Sequence, residues 1–573
     1  MKKYTQPPGW VMDKGFFFER NLLALSRFDP ALCSRLSGAE TTKGRYKFID
    51  SRFGESIPAL LDSSGAAHPL HSLVDPRKEG KRLVSTLGTE GFLILFGLGG
   101  GFHVEAALER PGTEEVTVVD FDIHGVAELL SSREYIGIFN DPRLRLLVDP
   151  SRETLEKHIL DRYKPGICGG IAVLPLRTRT DLGRPLFTEA GEAIKSAIDV
   201  VSADYSVQAY FGKRWFSNII HNLHHAEQSA PALPPIRNAA VCAAGPSLDT
   251  QLLRLLEKKK RPFIIAADTS LPCLLNAGLE PDAVVSIDCQ HISYYHFMAG
   301  LPKHTLLFLD LASPPLVASR SSRPYFFSGG HPLTRYLSRY WRPIPELDTS
   351  GANVTYAALS LSEYLGARNV ELYGADFSYP LGVSYARGSY IRTLFENRQN
   401  RCASLETLHS AFLYRTPLSK QSPKEKPWYY ETKPLTLYRQ RLEDRVRSST
   451  TSVSIVPGMG APIHLKAGPE KTVSAGSVYR LFSSGKAAMG AWEFLGQYRS
   501  EIESLPALRG PVQPYLTALS RKDSIIFTTL LPSMAAVKRR FPDLDNPGVL
   551  QAVREYCIEE LTKVAGPPPM DLG

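Results

Sequence analysis

The sequence lacks any regular spacing of cysteine. Seven cysteines are scattered over 573 residues, an odd number, and no two stand in the C-x-x-C arrangement of metal or redox motifs. This usage indicates neither a disulfide framework nor a zinc site, and a reducing cytoplasm is the compartment that fits best. The seven are Cys33, Cys168, Cys242, Cys273, Cys289, Cys402 and Cys557.

The sequence also lacks a long apolar run. Its first residues, MKKYTQPPGWVMDKG, contain no apolar core of a signal peptide, and the longest apolar stretch, near Phe92 to Phe102, is interrupted by glycine. A transmembrane helix needs about 20 consecutive apolar residues. We therefore expect a cytoplasmic protein with neither a signal peptide nor a membrane span.

The sequence also lacks basic runs interleaved with aromatic residues, which are typical of nucleic-acid-binding modules. The net charge is +9, yet the lysines and arginines form no recognisable module of that kind. Such an excess can attract an anionic ligand. We expect a solvated basic surface and no nucleic acid among the partners.

What the sequence does contain is the composition of a globular chain with several domains. Hydrophobic residues make up 43% and charged residues 22%, which is ample for packed cores. A chain of 573 residues is too long for one ordinary hydrophobic core. Short apolar strands alternate with helices, which predicts an α/β fold with two Rossmann-like domains and a smaller helical C-terminal region.

The first Rossmann-like pattern is the segment GFLILFGLGGGFHVEAALERPGTEEVTVVDFD, which predicts a strand, a glycine turn, a helix and a strand. Gly97, Gly99 and Gly101 form the turn, and Asp120 ends the second strand. Such a turn lets the backbone approach a ligand, and the acidic residue can hold ribose hydroxyls. The four residues are a weak cofactor-binding candidate of the S-adenosylmethionine type, because Phe102 breaks the dinucleotide motif. Alternatively, the glycines only permit a tight turn.

A second α/β pattern follows the proline-rich stretch SAPALPPIRN, which we interpret as a linker. NAAVCAAG, PFIIAAD, DAVVSID, TLLFLDL, PYFFSG and NVELYG are short apolar runs that end in polar residues or glycine, as buried parallel strands do. We predict an N-terminal Rossmann-like domain at residues 1–225 and a central, second α/β domain at residues 238–440. A mainly helical C-terminal region follows at residues 441–573, with a helical tail from Ser477.

The motif AAGPSLD stands where the first central strand is expected to give way to a helix. Gly245 permits close approach of the backbone, and Pro246 and Ser247 begin the helix, whose free N–H groups favour a phosphate. The motif therefore predicts a contact with a nucleotide. The alternative is that Pro246 and Ser247 only start the helix.

Two further turns complete this set of motifs. Ser350, Gly351 and Asn353 lie in the segment TSGAN, directly before an amphipathic helix. Asp376 follows the NVELYG strand, and the loop GVSYA, which contains Tyr385, comes next. Tyrosine, glycine and carboxylate at the end of a parallel strand are typical of a ligand-binding loop.

The motif order GPSL, TSG with an alanine-rich helix, LGxxxxxLxGxDF and GxSYA resembles that of the bacterial CMP-sialyltransferases. It is still more similar to the motility accessory factor (Maf) family, which is grouped with the 6-hydroxymethylpterin diphosphokinase MptE-like domain family. The resemblance covers residues 238–416. Maf proteins are associated with attaching nonulosonic acids, such as pseudaminic or legionaminic acid, to serine and threonine of flagellin.

The resemblance implies a role for each motif. The nucleotide of a CMP-sugar would lie over Gly245 and Ser247, and Tyr385 matches a tyrosine that assists the leaving phosphate. His409 stands where the sialyltransferases have their catalytic histidine. A phenol can stabilise developing charge without a metal, and an imidazole is largely neutral near pH 7 and can act as a base. We expect no required cofactor. A lone histidine in a helix can instead be a core or surface residue.

The sequence departs from the sialyltransferase motifs at two places. Ala244 stands where those enzymes have asparagine before the glycine, and Ala267 and Asp268 replace their cysteine-asparagine pair. The first change removes a side-chain amide that could contact the donor. The identity of the sugar and of the nucleotide is therefore left open.

Three aspartates stand at the ends of predicted strands. If Asp268, Asp288 and Asp376 converge, they could hold Mg²⁺ around phosphates, which a pyrophosphokinase would require. Alternatively, they cap helices or bind hydroxyl groups. His291 and His296 follow Asp288 closely, but their spacing matches no metal motif.

The sequence thus favours a glycosyltransferase that moves a nonulosonic acid from a CMP-sugar to flagellin. One alternative is an MptE-like pyrophosphokinase that acts from ATP on 6-hydroxymethyl-dihydropterin. The other is a non-catalytic nucleotide-binding protein. Degraded motifs would favour the last, but the glycines, serines, aspartate and tyrosine of the motifs are all present.

Overall fold

The computed structural model describes residues 14–39, 44–228, 231–424, 427–465 and 486–564. Over these residues the chain is mixed α/β with two parallel sheets, which confirms the predicted fold class. None of the helices described there is both long and apolar enough to cross a membrane.

Each strand predicted in the central region is present, within one or two residues of its expected ends. The strands are β1 (Tyr46–Asp50), β2 (Ser56–Leu61), β3 (Ala67–Pro69), β4 (Glu90–Phe96), β5 (Glu115–Asp120), β6 (Leu144–Val148), β7 (Gly170–Pro175), β8 (Asn238–Cys242), β9 (Phe263–Ala267), β10 (Ala283–Ser286), β11 (Leu306–Asp310), β12 (Tyr325–Phe327), β13 (Asn369–Tyr373), β14 (Tyr379–Pro380), β15 (Ser419–Gln421), β16 (Tyr429–Glu431) and β17 (Ser452–Ile455).

Helices connect most of these strands, and 3₁₀ turns at Asp268–Ser270 and His291–Phe297 follow β9 and β10. The helices are α1 (Lys14–Ser26), α2 (Pro30–Ser37), α3 (Pro76–Val84), α4 (Phe102–Glu109), α5 (Ile123–Ser132), α6 (Ile136–Phe139), α7 (Arg152–Arg162), α8 (Pro165–Cys168), α9 (Arg177–Leu182), α10 (Arg184–Ala226), α11 (Leu248–Leu256), α12 (Leu271–Asn276), α13 (Pro315–Ala318), α14 (Pro332–Tyr340), α15 (Val354–Tyr364), α16 (Tyr390–Arg398), α17 (Leu405–Leu413), α18 (Lys433–Ser448), α19 (Ala491–Ser504), α20 (Val512–Ala518), α21 (Arg521–Arg540) and α22 (Asn546–Val564).

The first of two compact units consists of residues 1–212 and 505–554. Its main sheet is parallel, in the order β6-β5-β4-β7. The predicted strand, glycine turn, helix and strand are confirmed as β4, α4 and β5. Residues 92–95 of β4 have no exposed surface, because helices cover both faces of a parallel sheet.

The second compact unit consists of residues 213–504 and 555–573. The seven strands of its main sheet are all parallel and lie in the order β12-β11-β10-β9-β8-β13-β17. A small antiparallel sheet, β14-β16-β15, is inserted after β13. The chain proceeds from β8 toward β12 on one side, and β13 lies on the other side of β8. Ligands of open α/β sheets bind at such a reversal, outside the carboxyl ends of the strands.

These two units divide the chain differently from the three predicted regions. Helix α10 continues for 43 residues and includes both residue 212 and residue 225. The chain divides at residue 212, within this helix, whereas the boundary was predicted later, at residue 225. Strand β17 belongs to the central sheet because it pairs with β13, although it lies in the predicted C-terminal region. The other elements described in that region are helices, namely the end of α18 and α19 to α22, and residues 466–485 and 565–573, with the start of the expected tail, lie outside the described residues.

Candidate active site

The reversal of strand order joins two of the predicted motifs. The backbone N–H of Ser247 donates to Asp376 Oδ2 (2.8 Å), and the Ser247 hydroxyl donates to Asp376 Oδ1 (2.5 Å). A Cβ atom on Gly245 would lie 2.4 Å from Asp376 Oδ2 and 2.4 Å from the Gly374 carbonyl oxygen. Glycine is therefore needed here so that the Asp376 carboxylate can approach the turn.

The chain itself covers this turn with the segment after β17. The Met459 N–H donates to Ser247 Oγ (2.7 Å), and the Ala461 N–H donates to the Asp376 carbonyl (3.0 Å). A cavity of about 200 Å³ remains between this segment, Gln251 and Asp376. The GPSL turn thus binds another part of the chain through Ser247, while a small cavity stays beside Asp376.

The TSG turn has a similar internal role. Asn353 caps α15 by accepting from the Tyr356 N–H (3.0 Å), and a Cβ atom on Gly351 would lie 2.1 Å from the Tyr356 ring. The Ser350 carbonyl accepts from Arg441 Nη1 of α18 (3.0 Å). These contacts account for glycine and asparagine at this turn by packing and capping, whereas the contact of Ser350 with Arg441 is made by its backbone and does not require serine.

The carboxylates at the ends of the central strands separate into two places. Asp268 and Asp288 influence each other, because burial and the charge of Asp268 both raise the pKa of Asp288. Asp376 is held at Ser247, beyond the intervening strand β8. In the described part of the chain, no three histidine, cysteine or acidic side chains are placed to hold a metal ion. The expected convergence of all three aspartates is therefore not found.

Asp310 is a fourth carboxylate at this edge, and our sequence analysis missed it. It ends β11 and accepts from the N–H groups of Ala312 and Gly329, both at 2.8 Å. Burial raises the pKa of Asp310 to about 6. The signal was present in the sequence, since the last residue of β11 is an aspartate, and the runs PFIIAAD and DAVVSID also end in aspartate.

Tyr385 lies in a loop bound at the end of β8, where the Ala386 N–H donates to the Ala244 carbonyl (2.9 Å). Burial is the main cause that raises the pKa of Tyr385 to about 12, and the nearby Tyr379, Asp268 and Tyr438 add to it. The phenol therefore stays protonated at neutral pH and can donate a hydrogen bond. Of the three predicted catalytic residues, Tyr385 is the one that the fold brings beside Asp268.

His409 lies behind the loop rather than beside the aspartates. Its Nδ1 is 3.4 Å from the hydroxyl of Ser384, and its ring meets the Phe395 ring edge to face with centroids 5.0 Å apart. The side chain is buried, and burial together with the charge of Arg392 lowers the pKa of His409. The imidazole is neutral at pH 7 and contacts Ser384, the residue directly before Tyr385.

A second histidine lies closer to the aspartates. His296, in the 3₁₀ turn after β10, is 8% exposed, and its Nδ1 has no hydrogen-bond partner among the described residues. Its charge acts to lower the pKa of Asp288, opposing the effect of burial. The ring meets Tyr390 at 5.9 Å. His296 is therefore a second candidate for the base, in the turn that follows Asp288.

Two asparagines that the sequence analysis overlooked hold the loops of this edge in place. Asn218 Nδ2 donates to the carbonyls of Cys289 (3.0 Å) and Ala312 (2.7 Å). Asn222 Nδ2 donates to the carbonyls of Leu311 (2.9 Å) and Ser313 (2.7 Å). Their spacing of one helical turn in NIIHNLHH was the available signal.

The glycine turn of the first unit is filled by the protein's own side chains. A Cβ atom on Gly99 would lie 2.6 Å from His71 Nε2, which accepts from the Gly100 N–H (2.9 Å). Asp120 is 1% exposed and pairs with Arg179 at 2.9 Å. These contacts agree with the alternative prediction, in which Gly97, Gly99, Gly101 and Asp120 form a tight structural turn rather than a cofactor site.

The arrangement offers groups for chemistry on an anionic donor. Tyr385 can donate a hydrogen bond to a negatively charged oxygen, and the raised pKa of Asp288 makes its carboxylate a stronger base than an exposed one. His296 adds an imidazole whose Nδ1 has no hydrogen-bond partner among the described residues. Both groups lie at the carboxyl edge of the sheet, where a nucleotide or sugar would be held.

The amino-acid sequence is similar to one protein family and to several individual proteins. Residues 213–382 match the family 6-hydroxymethylpterin diphosphokinase MptE-like. Three uncharacterised proteins of Treponema pallidum (strain Nichols) are 32%, 34% and 26% identical over 163, 126 and 221 residues. These matches cover 28%, 21% and 36% of this chain, and 78%, 45% and 38% of the respective relatives.

A solved structure shares the fold over nearly the whole chain. The Maf glycosyltransferase from Magnetospirillum magneticum AMB-1 matches with a TM-score of 0.58 and 12% sequence identity, over 96% of this chain and 95% of that one. At such low identity the likeness concerns the fold. Residues 213–382 thus match the MptE-like domain family, and the chain has a fold similar to that of the Maf glycosyltransferase.

Proposed function

We propose that the protein is a glycosyltransferase that moves a nonulosonic acid from a CMP-sugar to serine or threonine of flagellin. The observation that carries the proposal is the position of the Tyr385 loop at the carboxyl edge of the central sheet, where the Ala386 N–H donates to the Ala244 carbonyl after β8 (2.9 Å). The fold shared with a protein named as a Maf glycosyltransferase supports it, as does the motif order in the sequence.

In the proposed reaction the acceptor hydroxyl oxygen bonds to the anomeric carbon while the bond from that carbon to the phosphate oxygen breaks. The bonding electron pair leaves with the phosphate of CMP, and the hydroxyl proton passes to a base. Tyr385 would donate to the departing phosphate, where charge develops. His409, or His296 with Asp288, would accept the proton.

The test is to incubate the full chain and flagellin with CMP-activated nonulosonic acids and to weigh the intact flagellin. We expect a mass increase of one or more sugar residues, and a loss of the increase in the Tyr385→Phe variant. Tyr340→Phe is the matched control, because Tyr340 is exposed on α14 and lies outside the candidate site. Unmodified flagellin with every CMP-sugar would contradict the proposal.

The MptE-like match favours one second candidate, pyrophosphoryl transfer from ATP to 6-hydroxymethyl-dihydropterin. A ligand that binds only the native state raises the unfolding temperature. We expect CMP or CDP to raise that temperature and ATP with the pterin to leave it unchanged. Strong protection by ATP, together with AMP release, would instead establish the kinase activity.

A further inference from the structure

The small antiparallel sheet carries a cluster of aromatic side chains at the surface. Tyr414, Trp428 and Tyr430 form this aromatic platform. The hydroxyls of Tyr414 and Tyr430 are 3.0 Å apart, the Trp428 and Tyr430 rings meet edge to face at 5.4 Å, and Tyr414 is 64% exposed. Clustered tyrosine and tryptophan at a surface are characteristic of interfaces with other macromolecules.

A row of paired residues leads from the candidate active site to this platform. Tyr379 of β14 pairs with Tyr430 of β16, and Tyr430 pairs with Lys420 of β15. Side chains of directly paired residues project from the same face of a sheet. Tyr379 also adds to the raised pKa of Tyr385 and is therefore close to it. At roughly 4.8 Å per strand, β15 lies about 10 Å from β14.

Strand β15 has the features of a strand that can accept another chain. It forms the edge of its sheet, and all three of its residues are exposed. An exposed edge presents unpaired N–H and C=O groups, and proteins usually protect such edges. An extended peptide that adds to an edge gains main-chain hydrogen bonds, and neighbouring side chains supply the specificity.

The charge around this edge is mainly positive. Residues 414–426 contain the basic residues Arg415, Lys420, Lys424 and Lys426 and one acidic residue, Glu425. Glu431 of β16, opposite Ser419 of β15, forms an ion pair with Arg439. Lys420 Nζ lies 4.7 Å from the centre of the Trp428 ring, and the Arg415 guanidinium lies 5.4 Å from that of Phe412. Both cations therefore rest on aromatic faces at the surface, where they would attract acidic side chains.

We propose that the aromatic platform and the edge of β15 bind an extended, acidic segment of the acceptor polypeptide. This inference rests on the proposed function, since it assigns the acceptor of that same site. The acidic segment pairs with the β15 backbone, its carboxylates face Lys420, and its apolar groups cover Trp428 and Tyr414. A hydroxyl a few residues away along the segment then reaches Tyr385.

The experiment measures peptide binding and sugar-nucleotide turnover separately in the full chain. The probe is a fluorescent serine-containing peptide with aspartate and glutamate flanks, compared with the same peptide carrying asparagine and glutamine. We expect the acidic peptide to bind and the variants Lys420→Glu and Tyr414→Ser to weaken that binding about tenfold each. Lys303→Glu, an exposed lysine of the same unit, is the charge-matched control and should bind normally.

Acceptor-free hydrolysis of the CMP-sugar separates this inference from the proposed function. We expect Lys420→Glu and Tyr414→Ser to leave hydrolysis unchanged and to raise the KM for the acceptor about tenfold. Unchanged peptide affinity in both variants, equal binding of the neutral peptide, or preferential binding of a polysaccharide would overturn the docking proposal. If no CMP-sugar is hydrolysed while the variants still lose the peptide, the docking site stands and the donor assignment fails.

Discussion

At the scale of single residues, Tyr385 carries the strongest expectation about catalysis. Its pKa is raised to about 12, mainly by burial, so the phenol keeps its proton across the physiological range. We predict that Tyr385→Phe lowers turnover of the CMP-sugar about 10²-fold, as the loss of one transition-state donor does, and leaves nucleotide affinity nearly intact. Steady-state kinetics with Tyr340→Phe as the reference would check this. A Tyr385→Phe enzyme with full turnover would refute the assignment.

The base is a second question at the residue scale, because two histidines compete for the role. If His409 is the base, His409→Ala abolishes transfer and flattens the acidic limb of the pH profile, which its lowered pKa places below pH 6.5. If His296 acts with Asp288, His296→Ala has these effects and His409→Ala only lowers stability. We predict that only one of the two variants loses the acidic limb, measured as the pH dependence of kcat/KM. Two normal profiles would leave Asp268, Asp288 and Asp376 as the candidates.

At the scale of elements, the turns after β8 and β13 depend on each other through one glycine. We predict that Gly245→Ala lowers the free energy of unfolding by more than about 1 kcal/mol, because its Cβ would lie 2.4 Å from the Gly374 carbonyl. Gly496→Ala in α19 is the control, since no atom lies within 4 Å of its Cβ position. Alanine in a helix should keep or raise stability there. Urea unfolding measures both, and equal stability of the two variants would contradict the argument.

A substitution of Asp376 tests the same contact between the turns after β8 and β13. Both of its oxygens accept hydrogen bonds from Ser247. In Asp376→Asn the amide nitrogen would face one of these donors, and leaving a buried group unpaired costs about 1–3 kcal/mol. We predict that this variant loses stability as well as activity. Loss of activity at full stability would instead assign Asp376 a direct catalytic role.

At the scale of the whole molecule, buried histidines set the response to acid. Burial lowers the pKa of both His103 and His331 to about 3. The unfolded chain takes up these protons near pH 6.5, so the free energy of unfolding is highest above pH 6.5 and falls as the pH decreases toward 3. We predict a lower midpoint of thermal unfolding at pH 5 than at pH 7.

One substitution separates this effect from general acid denaturation. His331 caps α14 by accepting from the Leu333 N–H at Nδ1 (3.1 Å), and asparagine can cap in the same way without titrating. His331→Asn should therefore reduce the loss of stability between pH 7 and pH 5. His304→Asn, at an exposed position, should leave it unchanged. An identical loss in all three proteins would exclude His331 as a cause.

The sequence by itself determined the parts of the fold that depend on local pattern. Short apolar runs located β8 to β13, because strands buried on both faces must be apolar along their length. The glycine and helix-start signals placed Gly245, Ser247 and Asn353 at turns, since these residues have local backbone preferences. The order of the motifs also indicated the resemblance to the MptE-like and Maf families, because the apolar runs locate the strand ends at which these motifs lie.

Only the tertiary structure decided what each motif contacts, because those contacts join distant segments. Ser247 and Asp376 are 129 residues apart in the chain, and no periodicity predicts that they bind each other. The sequence allowed a cofactor at the Gly99 turn, but in the structure His71, from the loop between β3 and α3, occupies that place. The sequence favoured His409 as the base by resemblance alone. Both His409 and His296 are buried, but their neighbours differ, because α17 packs against α16 whereas the turn after β10 follows Asp288 at the edge of the sheet.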